Sequence, residues 1–138
     1  MNESLLSVRD LRVELPLVGG WRPAVAGVDF DLSEGEALAV VGESGCGKTL
    51  LGRALINLPP EGSRVTGQVR LRGQELLSRP ERAWGDIRGR EIAMVFQEPA
   101  AALDPVQTIG AQITEAVRRH RRVSENDARR IADRKSVV

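Results

Sequence analysis

The residues with the clearest chemical purpose run from Gly42 to Thr49, GESGCGKT, and fit the pattern G-x-x-x-x-G-K-[ST]. Gly42, Gly45 and Gly47 let the backbone turn tightly with its N–H groups pointing inward, which makes an anion nest at the start of a helix. Lys48 brings a mobile ammonium to the β and γ phosphates of a nucleoside triphosphate. The Thr49 hydroxyl suits the Mg²⁺ that bridges those phosphates, because this ion takes hard oxygen ligands and substrate phosphates. The residues expected to hold the nucleotide are therefore Gly42, Glu43, Ser44, Gly45, Cys46, Gly47, Lys48, Thr49 and Leu50. Cys46 reads as a small residue that fits the loop, with a thiol open to alkylation and no part in catalysis.

Such a loop works only between a buried strand and a helix, and its flanks have that character. Glu36 to Val41, EALAVV, is a short apolar run expected of a strand buried on both faces. Lys48 to Leu58 carries leucines at helical spacing until Pro59 and Pro60 stop it. Ahead of these, Leu5 to Leu15 suits a half-exposed strand ended by Pro16, Leu17 to Pro23 reads as a turn, and Val25 to Leu32 as a second strand. Beyond them, residues 61–67 read as a polar turn and Gln68 to Arg72 as an exposed strand. Arg79 to Arg90 reads as a short helix with a loop, and Ile92 to Phe96, IAMVF, as another buried strand. Gln97 through Pro105 forms a proline-bounded loop. Thr108 to Arg119 is helical, with Ile109, Ile113, Ala116 and Val117 on one side, and Ser124 with Asp127 resembles a capping box for a last helix.

Composition sets the outer bounds. A chain of 138 residues with 41% apolar and 28% charged residues fits one compact globular domain. Its lone cysteine allows no internal disulfide, and the N-terminus lacks a basic region followed by an apolar stretch, so a cytoplasmic setting is expected. The longest apolar run near the N-terminus, Ala37 to Val41, cannot span a membrane. A net charge of +1 argues against a general nucleic-acid binder. The balance is uneven: residues 1–105 hold 12 Lys/Arg against 15 Asp/Glu, and residues 106–138 hold 8 against 4. This basic tail is open to two readings, a surface for acidic partners or lipid headgroups, or a solvated helix face.

The segments flanking the glycine loop separate the families that share it. Residues 27–55, GVDFDLSEGEALAVVGESGCGKTLLGRAL, resemble the opening of an ABC ATPase, in which a strand and an S-x-G-E turn precede the loop. Residues 92–117, IAMVFQEPAAALDPVQTIGAQITEAV, resemble the Q-loop region of the oligopeptide and dipeptide importer subunits of that family, with Gln97 as its glutamine. Read alone, Gln97 is a solvated loop residue. The resemblance instead gives it a place near the Mg²⁺ and the attacking water, on a hinge that senses the membrane-spanning subunits, and an uncharged amide suits a hard cation or a water.

The resemblance spans nearly all of residues 5–117. It implies an α/β fold, a P-loop NTPase core of ABC type with an N-terminal antiparallel β subdomain, cut short. It further implies an ATPase that uses ATP and Mg²⁺, catalytic positions at Lys48 and Gln97, and metal contacts from Thr49 and Gln97. The partners implied are transmembrane permease subunits and a second ABC ATPase subunit, with a peripheral place at the cytoplasmic face of the cell membrane and no nucleic acid. The chain reads as part of a single nucleotide-binding domain, residues 1–138, with a divergent basic tail over 118–138.

The family's signature loop LSGGQ, its second aspartate-bearing strand with the catalytic glutamate and its switch histidine do not occur in these 138 residues. Asp104, in AAALDP, imitates the magnesium-binding strand, but alanines between prolines make a poor buried strand, so it is not read as a metal ligand. Trp21 is open to two readings, a platform for adenine or a residue packed on the early strands. Trp84 has no assigned role, and His120 reads as a surface residue. Three functions remain: the ATP-binding subunit of an importer, a non-hydrolysing nucleotide-binding module docked to permeases, and a DNA-repair ATPase of the same layout. The last normally brings zinc-binding cysteines, and one cysteine speaks against it.

Overall fold

A computed structural model describes residues 4–98 and 102–136. Two compact units divide the chain, Met1–Gly85 and Asp86–Val138.

The first unit is built on an antiparallel sheet of β1 (Leu6–Leu17), β2 (Gly20–Leu32), β3 (Arg64–Leu71) and β4 (Gln74–Glu75), in the order β2-β1-β3-β4. Helix α1 (Lys48–Leu55) follows β2, and α2 (Glu81–Ile87) closes the unit and crosses its boundary. Leu6 and Val8 are buried on one face of β1, but the buried set then shifts to Leu11 and Val13. A strand of strict period two would turn Leu11 outward. The change of phase comes from a bulge at Arg9 and Asp10, where both strand pairings shift register and Asp10 takes φ 45. On β3, Gly67 lies directly beneath it at φ 109, with no room for a Cβ against the backbone carbonyls of Asp10 and Arg9, the latter 2.8 Å away.

β1 runs two residues past its expected end and includes Pro16. Pairing with β3 stops at Glu14, so beyond that point β1 has one open edge, where a residue without an N–H removes no ladder bond. The turn expected over Leu17 to Pro23 contracts to a tight hairpin at Val18 and Gly19, with Gly19 at φ 96 and Gly20 at φ 123. Strand β3 begins at Arg64, inside the segment expected to be a polar turn.

Helix α1 stops at Leu55, three residues before the expected Leu58. Asn57 adopts φ 51, its N–H donates to Ala54 O at 3.0 Å, and the Leu58 N–H reaches Arg53 O at 2.8 Å. This is a Schellman motif with asparagine at the left-handed position, and the two prolines follow it. Trp84 is fully buried, as are Val69 on β3, Val8, Leu11 and Val13 on β1, and Leu76.

In the second unit, α3 (Ile109–His120) and α4 (Glu125–Ser136) pack against each other. Thr108 caps α3 by accepting from the Ala111 N–H at 3.2 Å, and Ser124 caps α4 by accepting from Asp127 N at 3.2 Å. The Ser124 hydroxyl also donates to the Asp127 carboxylate at 2.7 Å, so the two residues of the expected capping box meet through their side chains rather than through the Ser124 N–H. The apolar face expected on α3 is only partly covered. Ile113 and Val117 are half-buried, Ile109 and Ala116 are exposed, and the buried residue is Thr114. Its buried counterparts on α4 are Ala128 and Ala132, small side chains that permit close helix packing.

The two buried strands expected at Glu36–Val41 and Ile92–Phe96 are not formed. Residues 36–41 join no ladder, and Ile92 makes one isolated parallel bridge to Arg88. All strand ladders among the described residues are antiparallel. Both segments have the apolar make-up of strands that need neighbours on two sides and cover on two faces, and the described residues supply neither. Val41 is 87% exposed and Val95 91%.

The close approach at the bulge predicts that Gly67→Ala costs about 2–4 kcal/mol, because strain at positive φ adds to a clash with backbone. Gly73→Ala, at φ 76 with open space around it, incurs the conformational strain alone and costs about 1 kcal/mol. Urea unfolding of the two variants checks the difference.

Candidate phosphate-binding site

The loop from Gly42 to Gly47 joins the unpaired segment 36–41 to α1 within the first unit. Gly45 at φ 83 and Gly47 at φ 94 are left-handed, and Gly47 occupies the position that begins the helix. Any side chain on Gly47 would strike the carbonyl oxygen of Ala24 on β2 and press on Val25. The start of α1 is thereby seated on the sheet. At Gly42 an added Cβ would lie 2.6 Å from the sulfur of exposed Cys46, which would have to turn away.

No side chain caps α1. The Leu51 N–H donates to Gly47 O at 2.8 Å, while among the described residues the N–H groups of Lys48, Thr49 and Leu50 meet no acceptor. These are the orphan donors of a helix start, carrying partial positive charge. The Lys48 ammonium folds back over the loop and donates to the carbonyl oxygens of Gly42 at 2.8 Å and Glu43 at 2.7 Å, with the Cys46 sulfur 3.5 Å away. Glu43, Ser44, Gly45 and Cys46 are exposed, as is Thr49, whereas Leu50 is half-buried and Leu51 and Ala54 form the buried side of α1. Beside the loop, a groove of about 390 Å³ is lined by Val28, Phe30, Leu38, Val40, Cys46 and Leu51.

Thus the residues from Gly42 to Leu50 come together, and Gln97 belongs to the second unit, exposed at a bend. Pro99, one boundary of the loop read around Gln97, lies outside the described residues, as do Ala100 and Ala101. Asp104 is engaged by its own loop: one carboxylate oxygen accepts from Val106 N and the other from Gln107 Nε2, each at 2.9 Å. These bonds, the backbone N–H first, hold its carboxyl below the ordinary aspartate value. Trp21 is 43% exposed, with the Arg64 guanidinium 4.2 Å from its ring centroid, so a cation covers one ring face. His120 lies over Gly89, where an added Cβ would meet its Nε2 at 2.7 Å.

Two positioning roles had no signal in the sequence. Ala24 acts through its backbone, and Gln112 ties α3 to the preceding loop by accepting from Asp104 N at 3.0 Å and donating to the carbonyls of Asp104 and Gln107.

A left-handed glycine at a helix start, orphan amides and an adjacent lysine are groups chemically suited to an anion. Comparison with known proteins places that loop in a family. A sequence profile described as ABC transporter matches residues 25–137, and the chain belongs to that family, whose members are ATPases. It is 42% identical over 130 residues to the dipeptide transport ATP-binding protein DppD of Bacillus subtilis (strain 168), a match covering 93% of this chain and 39% of the relative. The oligopeptide transport ATP-binding protein OppD of the same organism is 38% identical, with 93% and 36% covered. OppD of Mycobacterium tuberculosis (strain ATCC 25618 / H37Rv) is 45% identical, with 93% and 21% covered. The chain therefore spans between about a fifth and two fifths of the length of these relatives, and the family match runs through both compact units.

Because the Asp104 carboxyl is held below its ordinary value, the loop contacts are complete above pH 3.8 and are lost as the pH falls through the lowered value. The Val106 amide shift, followed by NMR, should titrate below 3.8 and become insensitive to acid in Asp104→Asn.

Proposed function

We propose that the chain is part of the ATP-binding subunit of an ABC importer for peptides or a related small solute, and that Gly42 to Leu50 hold the phosphates of ATP. The observation that carries this reading is the set of unpaired amides at Lys48, Thr49 and Leu50 beside a lysine that, among the described residues, meets loop carbonyls and the Cys46 sulfur and no carboxylate. An incoming polyphosphate offers both groups full negative charge. The residues fit the nucleotide: Lys48 exchanges the Gly42 and Glu43 carbonyls for phosphate oxygens, and the exposed Thr49 hydroxyl is available to a metal ion. Mg²⁺, when bound, neutralises charge on the bridging phosphates. Gln97 is assigned to the metal and the attacking water.

The names of DppD and OppD, which specify dipeptide and oligopeptide transport, support peptides as the solute class. Membership of the ABC transporter family supports permease subunits as partners and a peripheral place at the cytoplasmic face of the cell membrane; a second ATPase subunit is part of the same proposal. No helix among the described residues is long and apolar enough to cross a membrane. The match across both units supports one ABC ATPase domain rather than two functions, with its basic end from 118 onward included.

A second reading, a nucleotide-binding module that does not hydrolyse, is favoured by the apolar segments 36–41 and 92–96, which join no strand ladder. We assign the strands that would pair with them to the rest of an ABC ATPase domain. Without those strands the 138 residues alone provide few groups to position water or stabilise a transferring phosphoryl group, so they bind ATP with negligible turnover.

Isothermal calorimetry of the purified chain with Mg-ATP should register saturable binding. Lys48→Ala should weaken it roughly 10- to 100-fold, as expected for loss of a charge-assisted hydrogen bond. Equal affinity in the two proteins would remove the phosphate-loop assignment, and steady phosphate release by the chain alone would remove the non-hydrolysing reading.

A further inference from the structure

The densest charge in the chain lies where α3 ends. Arg118, Arg119, Arg121 and Arg122 fall within five residues, and all four are exposed. Arg118 has an acidic neighbour, Glu125 at 4.0 Å, but that carboxylate already accepts from Arg129 at 2.8 Å. Among the described residues, Arg119, Arg121 and Arg122 make no ion pair and no side-chain hydrogen bond. Attraction to the helix C-terminus accounts for cations in the last turn of α3, where Arg118 and Arg119 sit. It does not account for the next two. Arg121 is already extended, at φ −132 and ψ 133, and Arg122 follows it in the connection to α4. Glu115, Glu125 and Asp133 share a cavity with Arg118 and Arg119, which leaves Arg121 and Arg122 the least compensated. Guanidinium groups gathered in excess of their counter-charges repel one another, and the repulsion is relieved when a polyanion covers them.

We propose that this arginine turn binds the surface of an anionic phospholipid bilayer. The inference rests on the transporter reading above, which sets the chain beside a membrane. Each guanidinium can meet a phosphate headgroup through two parallel N–H bonds. Val123 is the one apolar side chain between Arg118 and Asp127, so the contact lies at headgroup level and is sensitive to salt. A nucleic acid fits the same turn less well. Residues 106–138 contain no Phe, Tyr or Trp on which bases could stack, and the chain as a whole carries a charge of only +1.

The test is co-sedimentation of the full chain with vesicles of phosphatidylcholine alone and of phosphatidylcholine mixed with phosphatidylglycerol. Binding is expected on the mixed vesicles, falling as salt rises. The triple variant Arg119→Gln, Arg121→Gln, Arg122→Gln should bind roughly a hundredfold more weakly, about fivefold per guanidinium. A triple replacement by lysine should restore most of the loss. Arg22→Gln, Arg82→Gln, Arg90→Gln, which removes the same charge at other exposed positions, should stay within about twofold of the parent. Equal binding to both kinds of vesicle, or equal loss in the two glutamine triples, would overturn the proposal. So would tighter binding to duplex DNA than to mixed vesicles at matched phosphate concentration, in favour of nucleic acid. Lys48→Ala is expected to keep vesicle binding while losing nucleotide, so failures of the two proposals show in different measurements.

Discussion

The site depends on one steric constraint, the contact of Gly47 with the Ala24 carbonyl. A helix start can attract an anion only if its first amides are held open and aimed, and an isolated eight-residue helix would fray. Seating the left-handed glycine on β2 couples the first turn of α1 to the most extensively paired strands of the sheet. The loop thereby inherits its rigidity from β1 and β2 rather than from its own residues, which are nearly all exposed. The Schellman motif at Asn57 fixes the other end of the same helix, so α1 is defined at both termini by backbone geometry.

Lysine 48 shows a second aspect of this arrangement. Its ammonium closes the loop on itself by bonding to two main-chain oxygens. A charge held by dipoles is easily transferred to a full anion, and the loop keeps nearly the shape it needs because the glycine torsions, not the lysine, set it.

Much of this was legible from the residues. The turn of the glycine loop into a helix at Lys48 follows from fixed residue types at fixed spacing, and Ser124 was readable as a cap because it acts over three positions. Thr108, read as the first helical residue, instead caps α3 from outside it. The first two strands were readable in outline, but the bulge at Asp10 was not, because it depends on Gly67 being across the sheet. Trp84 stayed unassigned for a similar cause: a tryptophan in a charged segment reveals its burial only once the fold is assembled. The apolar face read on α3 failed where neighbours matter, since Ile109 and Ala116 meet solvent and Thr114 does not. The segments EALAVV and IAMVF have the composition of inner strands, yet composition states what a segment needs and not whether a neighbour is there to pair with it.

Those two segments also bear on the behaviour of the chain in concentrated solution. Leu38, Val40, Val41 and Val95 stand in stretches rich in β-branched and aliphatic residues, with main-chain groups outside any ladder. Short apolar stretches with few charges are templates for cross-β stacking between molecules. The same apolar richness that suits a buried sheet becomes a route to insolubility, which makes protein concentration and chaperone supply decisive variables for keeping the phosphate loop in a native molecule.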